Sequence, residues 1–224
     1  MTTFRMNVPN QLTTARFFLT GIFVVALSTN WPFHFTAGLI VFVIAVVTDY
    51  LDGSIARSRN LVTDFGKLMD PLADKIMVAA AFICLVPLHA IPPWVAILVI
   101  AREFLITGLR LLAAGKGTIL PSERLGKHKT AWQIITVIFF LLLLSLQEWQ
   151  RTGIISSTLL GPLPFLWDKG GSVTIALVGN TGVSYAQTFL WVYGGGVIIA
   201  ITLGLTITSG FRYLWKHRSL IDSA

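Results

Sequence analysis

The sequence predicts an all-α integral membrane protein: six transmembrane helices preceded by a short N-terminal interfacial helix. Three observations predict it. Of 224 residues, 54% are hydrophobic and only 12% charged, more apolar surface than a soluble domain of this size needs. The apolar residues fall into long runs bounded by charged clusters, as membrane-spanning helices require. The cations are also one-sided. With six spans and both termini inside, Arg5, Arg16, Arg57, Arg59, Lys67, Lys75, the Arg110–Lys129 cluster, Arg212, Lys216 and Arg218 fall at or near the cytoplasmic face. Arg151 and Lys169 fall outside. The net charge of +7 therefore reads as membrane orientation and attraction to anionic headgroups, not as nucleic-acid binding. No internal repeat is visible, so residues 1–224 read as a single membrane-embedded domain.

Each element has a local reason. Met1–Asn10 is polar and the first apolar run lacks a cleavage-type end, so that run reads as a retained span. Pro9 suits a first helical turn, with Asn7 and Asn10 as cap-type residues. This interfacial helix leads into span one, Gln11–Leu27. Asn10, Thr13 and Arg16 share a helix face at a spacing of three. They read either as a plain polar entry or as part of a site. Span two covers Phe33–Ser58 and span three Gly66–Leu88, before the Pro87–Pro93 turn breaks the helix. Cys84, the single cysteine, lies inside an apolar run and cannot form an internal disulfide.

Span four, Pro93–Ala114, carries Arg102, Glu103 and Arg110. Charged residues within a span face the bundle interior or do chemistry. As sequence neighbours, Arg102 and Glu103 are expected to point apart and to find other partners. Gly115–Lys129 reads as a basic loop before span five, Thr130–Leu146. Its cations serve either as membrane-surface anchors or as a pocket for a phosphate. Residues 147–185, rich in chain breakers, read as an extended external loop, with Trp149 and Trp167 at the interface. Span six covers Ala186–Ser209, where Gly194–Gly196 permit a close helix approach or a bend. A basic end, Phe211–Arg218, follows.

The chemistry concentrates in Asp49–Asp74. Of ten acidic residues in the chain, Asp49, Asp52, Asp70 and Asp74 sit here, at the facing ends of spans two and three. Asp49, Asp52, Gly53 and Ala56 share one helix face, and Gly66, Asp70 and Asp74 share another. An Asp at a helix centre in a membrane costs roughly 2.5–3.5 kcal/mol, and gathering like charges adds to that. A hard divalent cation relieves both, because it takes oxygen ligands and supplies the opposite charge. Four carboxylates suggest two such cations, about 3.5–4 Å apart. Gly53, Ala56 and Gly66 leave the helix surface bare for a bulky ligand. Arg57 adds a fork of donors suited to phosphate oxygens. Together they describe a site for a nucleoside diphosphate group.

The stretch Asp49-x2-Asp52-Gly53-x2-Ala56-Arg57-x8-Gly66-x3-Asp70-x3-Asp74 resembles the signature of the CDP-alcohol phosphotransferases, with every fixed position and both gaps intact. The N-terminal segment, the Arg102–Arg110 run and the Gly126–Gln133 run are similar to the phosphatidylglycerophosphate synthases within that family. The resemblance implies the family's helical membrane fold and a magnesium-dependent transferase, with manganese as the other candidate metal. Asp49, Asp52, Asp70 and Asp74 would hold the metals, and Asp74 would also act as general base. Gly53, Ala56, Arg57 and Gly66, with Asn10 and Thr13, would bind the nucleotide of CDP-diacylglycerol. Arg110, Lys127 and Lys129 would hold the phosphate of an acceptor, sn-glycerol 3-phosphate, in phospholipid biosynthesis. The resemblance also implies a homodimer in the cytoplasmic membrane with its site facing the cytoplasm. Inositol phosphate or serine as acceptor is the alternative within the family. Acids in spans also mark ion transporters, but here they lie at one edge of the membrane rather than at its midplane. The 147–185 loop departs from the short connection expected of the family.

Overall fold

The computed structural model describes residues 8–59, 64–115, 124–152, 154 and 193–218; the side chains of 8–13, 50–59, 64–74, 124, 125, 127, 150 and 151 lie outside that description. The described residues form six helices: α1 Val8–Ser28, α2 His34–Arg59, α3 Asp64–Leu85, α4 Pro93–Gly115, α5 Arg124–Arg151 and α6 Gly195–Lys216. Within α5, His128–Trp149 is long and apolar enough to cross a membrane, and so is α6. Thr14–Ser28, His34–Asp49 and Lys75–Leu85 are shorter apolar helical stretches.

Several boundaries differ from the sequence expectation. α1 runs unbroken from Val8 to Ser28, with no separate interfacial helix among the described residues. Pro9 falls in the first turn, where its missing N–H has no helical partner to lose, and nothing afterwards breaks the helix. The second half of the expected Gly115–Lys129 loop is instead the start of α5. Pro121 is the last breaker there, and the Arg and Lys beyond it are good helix formers. α5 also continues past Leu146 to Arg151, and α6 past Ser209 to Lys216. Most of the expected 147–185 loop lies outside the described residues, as do 116–123 and the start of span six at 186–192.

α1 packs on α2 and α3, α5 on α2, α3 and α6, and α4 on α3 and α6. The core lies where these meet. Phe23, Phe42, Phe82 and Phe140 are fully buried there, and the Phe23 and Phe42 rings lie 5.7 Å apart. Such rings gain many small dispersion contacts from close packing. Thr20, Thr48, Thr107, Thr136 and Thr208 each donate to the carbonyl one turn back, which satisfies their hydroxyls locally.

Close helix approach falls at two glycines other than those expected. A Cβ on Gly38 would meet Leu27 Cδ2 at 2.7 Å, where α1 and α2 converge near their connection. A Cβ on Gly210 would meet Arg102 Cγ at 3.1 Å, so this glycine opens α6 to a side chain of α4. Gly196, by contrast, faces open space, and a Cβ on Gly194 would sit 3.4 Å from Phe139.

The far end of the bundle is closed by Glu148 on α5. Its carboxylate accepts from the Thr36 N–H at 3.1 Å, the Phe35 N–H at 3.4 Å and the Thr36 hydroxyl at 2.9 Å, and lies 3.1 Å from His34 Nδ1. The Trp149 indole N–H donates to the same Thr36 hydroxyl at 2.9 Å. The first turn of a helix has free N–H groups and a partial positive charge. Here a neighbouring helix supplies the anion that caps α2. Trp149 and Glu148 belong to the segment expected as loop, yet they are helical and tie α5 to α2.

Candidate active site

The acidic stretch divides between two helices. Asp49, Asp52, Gly53, Ala56 and Arg57 lie on the last turns of α2, and Gly66, Asp70 and Asp74 on the first turns of α3. The side chains of all but Asp49 lie outside the described residues, as do those of Asn10 and Thr13 on α1. α1 brings the two segments to one level. Arg16 Nη1 pairs with Asp49 Oδ1 at 2.8 Å, and one turn further along Thr20 Oγ1 contacts Met77 Sδ on α3 at 3.2 Å. Met77 is three residues after Asp74, about 4.5 Å along the helix axis.

The pairing of Arg16 and Asp49 is uneven. The Arg16 side chain is buried, whereas that of Asp49 is 47% exposed. The arginine holds one carboxylate oxygen while the head group stays accessible. A carboxylate so held offers hard oxygen of the kind a divalent cation takes. Among the described residues no group of three potential ligands gathers around one point.

The second half of the site lies on α4, α5 and α6. Lys129, only 2% exposed, is hydrogen-bonded to Glu103 Oε1. Arg102 Nη1 lies 3.2 Å from the same oxygen, and its Nη2 donates to Ser209 Oγ on α6 at 3.1 Å. The expectation that Arg102 and Glu103 point apart is thus corrected. Their Cβ atoms diverge, but the guanidinium is long enough to curl back to its neighbour, and both heads converge on the gap between α5 and α6. Lys75 on α3 donates to Thr107 Oγ1, whose hydroxyl donates to the Glu103 carbonyl at 2.7 Å. Arg110 stacks on Tyr213, with its carbon 5.5 Å from the ring centroid, and its Nε donates to the Tyr213 hydroxyl at 3.3 Å. Of the three residues expected to hold an acceptor phosphate, Lys129 is thus inside this cluster and Arg110 lies about two turns beyond Glu103 along α4. The Lys127 side chain lies outside the described residues.

One carboxylate therefore serves two direct cationic partners, with a third cation linked through Thr107. A buried charge needs compensation, and a charge left without it is costly. Such a cluster favours an incoming anion.

Sequence reasoning placed a span here but missed the contribution of α6 to the site. Thr202, Thr206, Ser209 and Tyr213 recur at spacings of four, three and four, a polar stripe on one face of an apolar helix. All four are buried. Lys129, Gln133 and Thr136 form the matching stripe on α5 and are also buried. The two stripes meet where the Thr136 and Thr202 hydroxyls lie 2.8 Å apart. The spacing was the signal that would have found them.

A site assembled from an acidic pair of helix ends and an adjacent cationic cluster belongs to a defined class. A family model for the CDP-alcohol phosphatidyltransferases matches residues 6–163, and the chain belongs to that family. It is similar to the CDP-diacylglycerol–glycerol-3-phosphate 3-phosphatidyltransferase of Bacillus subtilis, 46% identical over 148 residues, which cover 61% of this chain and 77% of that protein. The protein of the same description from Rickettsia felis is 38% identical over 136 residues, 61% of this chain and 75% of the other. A probable phosphatidylglycerophosphate synthase of Mycobacterium tuberculosis is 36% identical over 142 residues, 62% of this chain and 68% of the other.

Proposed function

We infer that this chain transfers the phosphatidyl group of CDP-diacylglycerol to sn-glycerol 3-phosphate, releasing CMP and forming phosphatidylglycerophosphate. The family, matched over residues 6–163, and the relatives that cover about three fifths of the chain support the reaction. The observation that carries the acceptor is the buried Lys129, which shares the single carboxylate of Glu103 with Arg102. A cluster with surplus positive charge suits an acceptor that is itself a phosphate ester. Serine offers it a weaker match, with a single carboxylate offset by its own ammonium instead of a phosphate.

In this reading the acceptor hydroxyl oxygen attacks the phosphorus bearing the diacylglycerol. The bond from that phosphorus to the oxygen bridging to CMP breaks, and CMP departs with the electron pair. Asp74 takes the hydroxyl proton and passes it to solvent. Gly53, Ala56, Arg57 and Gly66, with Asn10 and Thr13, bind and orient the nucleotide. Arg110, Lys127 and Lys129 bind the acceptor phosphate. Asp49, Asp52, Asp70 and Asp74 form an all-oxygen donor set for two divalent cations, magnesium or manganese. When bound, such cations neutralise the diphosphate and favour departure of the leaving oxygen. Arg16 orients Asp49 from behind. The one-sided cations of the sequence favour a site facing the cytoplasm from the inner membrane, and a homodimer is the family's expectation.

The test is turnover of purified protein with CDP-diacylglycerol and a panel of acceptors. Glycerol 3-phosphate is expected to release CMP, and inositol phosphate and serine are not. No turnover with glycerol 3-phosphate would overturn the reading. Chelation of divalent ions is expected to abolish the activity reversibly, and Asp70→Asn to abolish it outright.

A further inference from the structure

We propose that Gln133 of α5 and Thr206 of α6 bind the non-reacting hydroxyl of the acceptor, so that the polar seam between these helices selects a phosphorylated polyol over a phosphorylated simple alcohol. The proposal rests on the reading above and adds the two residues that would sense the acceptor's carbon chain.

Three observations carry it. First, Gln133 and Thr206 are each 1% exposed, yet Gln133 Nε2 and Thr206 Oγ1 have no hydrogen-bond partner among the described residues. Buried amide and hydroxyl groups are nearly always bonded, and an exception calls for an explanation. Secondly, both face one gap. Thr136 on α5 meets Thr202 on α6 at 2.8 Å. At the other end, Lys129 on α5 and Ser209 on α6 reach the adjacent residues Glu103 and Arg102. Gln133 falls between Lys129 and Thr136, and Thr206 between Ser209 and Thr202. The two orphaned groups therefore occupy the same level of the α5–α6 seam. Thirdly, that level adjoins the cationic cluster. Gln133 is one turn from Lys129, and Thr206 is three residues from the Ser209 that Arg102 contacts. Arg102 Nε is likewise buried without a hydrogen-bond partner.

The chemistry matches a short polyol phosphate. An anion held at Lys129 and Arg102 would leave its carbon chain beside an amide N–H donor and a hydroxyl that both donates and accepts. One alcohol of the substrate reacts. A second, on the adjacent carbon, would complete the unmet hydrogen bonds. A substrate without it would leave those groups buried and unpaired, a penalty that sites built to bond a hydroxyl convert into discrimination.

The experiment compares sn-glycerol 3-phosphate with 3-hydroxypropyl phosphate, which lacks only the 2-hydroxyl. It measures kcat/KM for each in the full-length protein, with CDP-diacylglycerol saturating. The wild type is expected to prefer glycerol 3-phosphate by about ten- to a hundredfold. Gln133→Leu and Thr206→Val are expected to bring the ratio towards one, mostly through loss of the natural acceptor, while Thr206→Ser retains the preference. A wild type that does not discriminate would overturn the proposal. So would variants that lose both acceptors in the same proportion, because a packing role or a bound water predicts that pattern. Thr206→Val is nearly isosteric and keeps the test open should Gln133→Leu fail to fold. Absence of any turnover with glycerol 3-phosphate in the wild type is a different outcome, and counts against the parent reading.

Discussion

Glu148 on α5 and Glu103 on α4 are two carboxylates with opposite surroundings. Glu148, 7% exposed, accepts from two backbone N–H groups and a hydroxyl, and has one titratable partner, His34. Its donors belong to the start of α2 and are fixed there. Glu103 accepts from Lys129 and Arg102, and polar groups beside it have no hydrogen-bond partner among the described residues. The first cluster is saturated and closes the bundle. The second is over-supplied with cations and under-supplied with acceptors, so it has capacity for an anionic ligand. Burial alone does not distinguish them; the count of partners does.

Substitution at the two carboxylates tests that contrast, and the largest effect is expected at Glu103. Glu103→Gln leaves Lys129 buried without its counter-charge, and breaking a buried pair in this way costs about 3–5 kcal/mol. A large fall in the thermal midpoint in detergent and near-complete loss of turnover are the expected results. Full activity and stability in this variant would remove Glu103 from the account. Lys129→Ala comes next. It is expected to raise the KM for glycerol 3-phosphate at least about tenfold, as loss of a charge-assisted hydrogen bond would, while the KM for CDP-diacylglycerol stays constant. A rise in both would mean that Lys129 supports the whole bundle.

Glu148→Gln should be milder. It keeps an acceptor for the α2 N-terminus but loses the charge, at a cost of about 1–2 kcal/mol. The midpoint should fall by a few degrees with the acceptor KM unchanged. An acceptor KM that shifts as far as in Lys129→Ala would abolish the distinction between the two ends. The smallest effect belongs to Thr136→Val, which breaks the hydroxyl contact with Thr202 in the same seam. It should cost about 1 kcal/mol or less and leave the preference between the two acceptors in place.

Much of the architecture was legible in the chain. Apolar runs and the breakers Pro87 and Pro93 located the helices. Helix ends were less legible, because Arg124–Lys129 and Glu148–Arg151 are polar yet good helix formers, and polarity reads as loop. The Asp49–Asp74 motif was legible because its residues are close in sequence. The Arg102–Glu103 contact was misread because spacing describes where Cβ atoms point, not how far a guanidinium reaches.

The sequence by itself determined the all-helical class, the enzyme family and the acidic motif, since these are written in local periodicity and spacing. Only the tertiary structure decided that Arg16 stands behind Asp49, that Glu148 caps α2, and that α6 lines the cationic cluster. Those pairings join residues from 33 to more than 100 positions apart. Local pattern determines which face of a helix is polar. Which other polar face it meets depends on how the whole bundle packs.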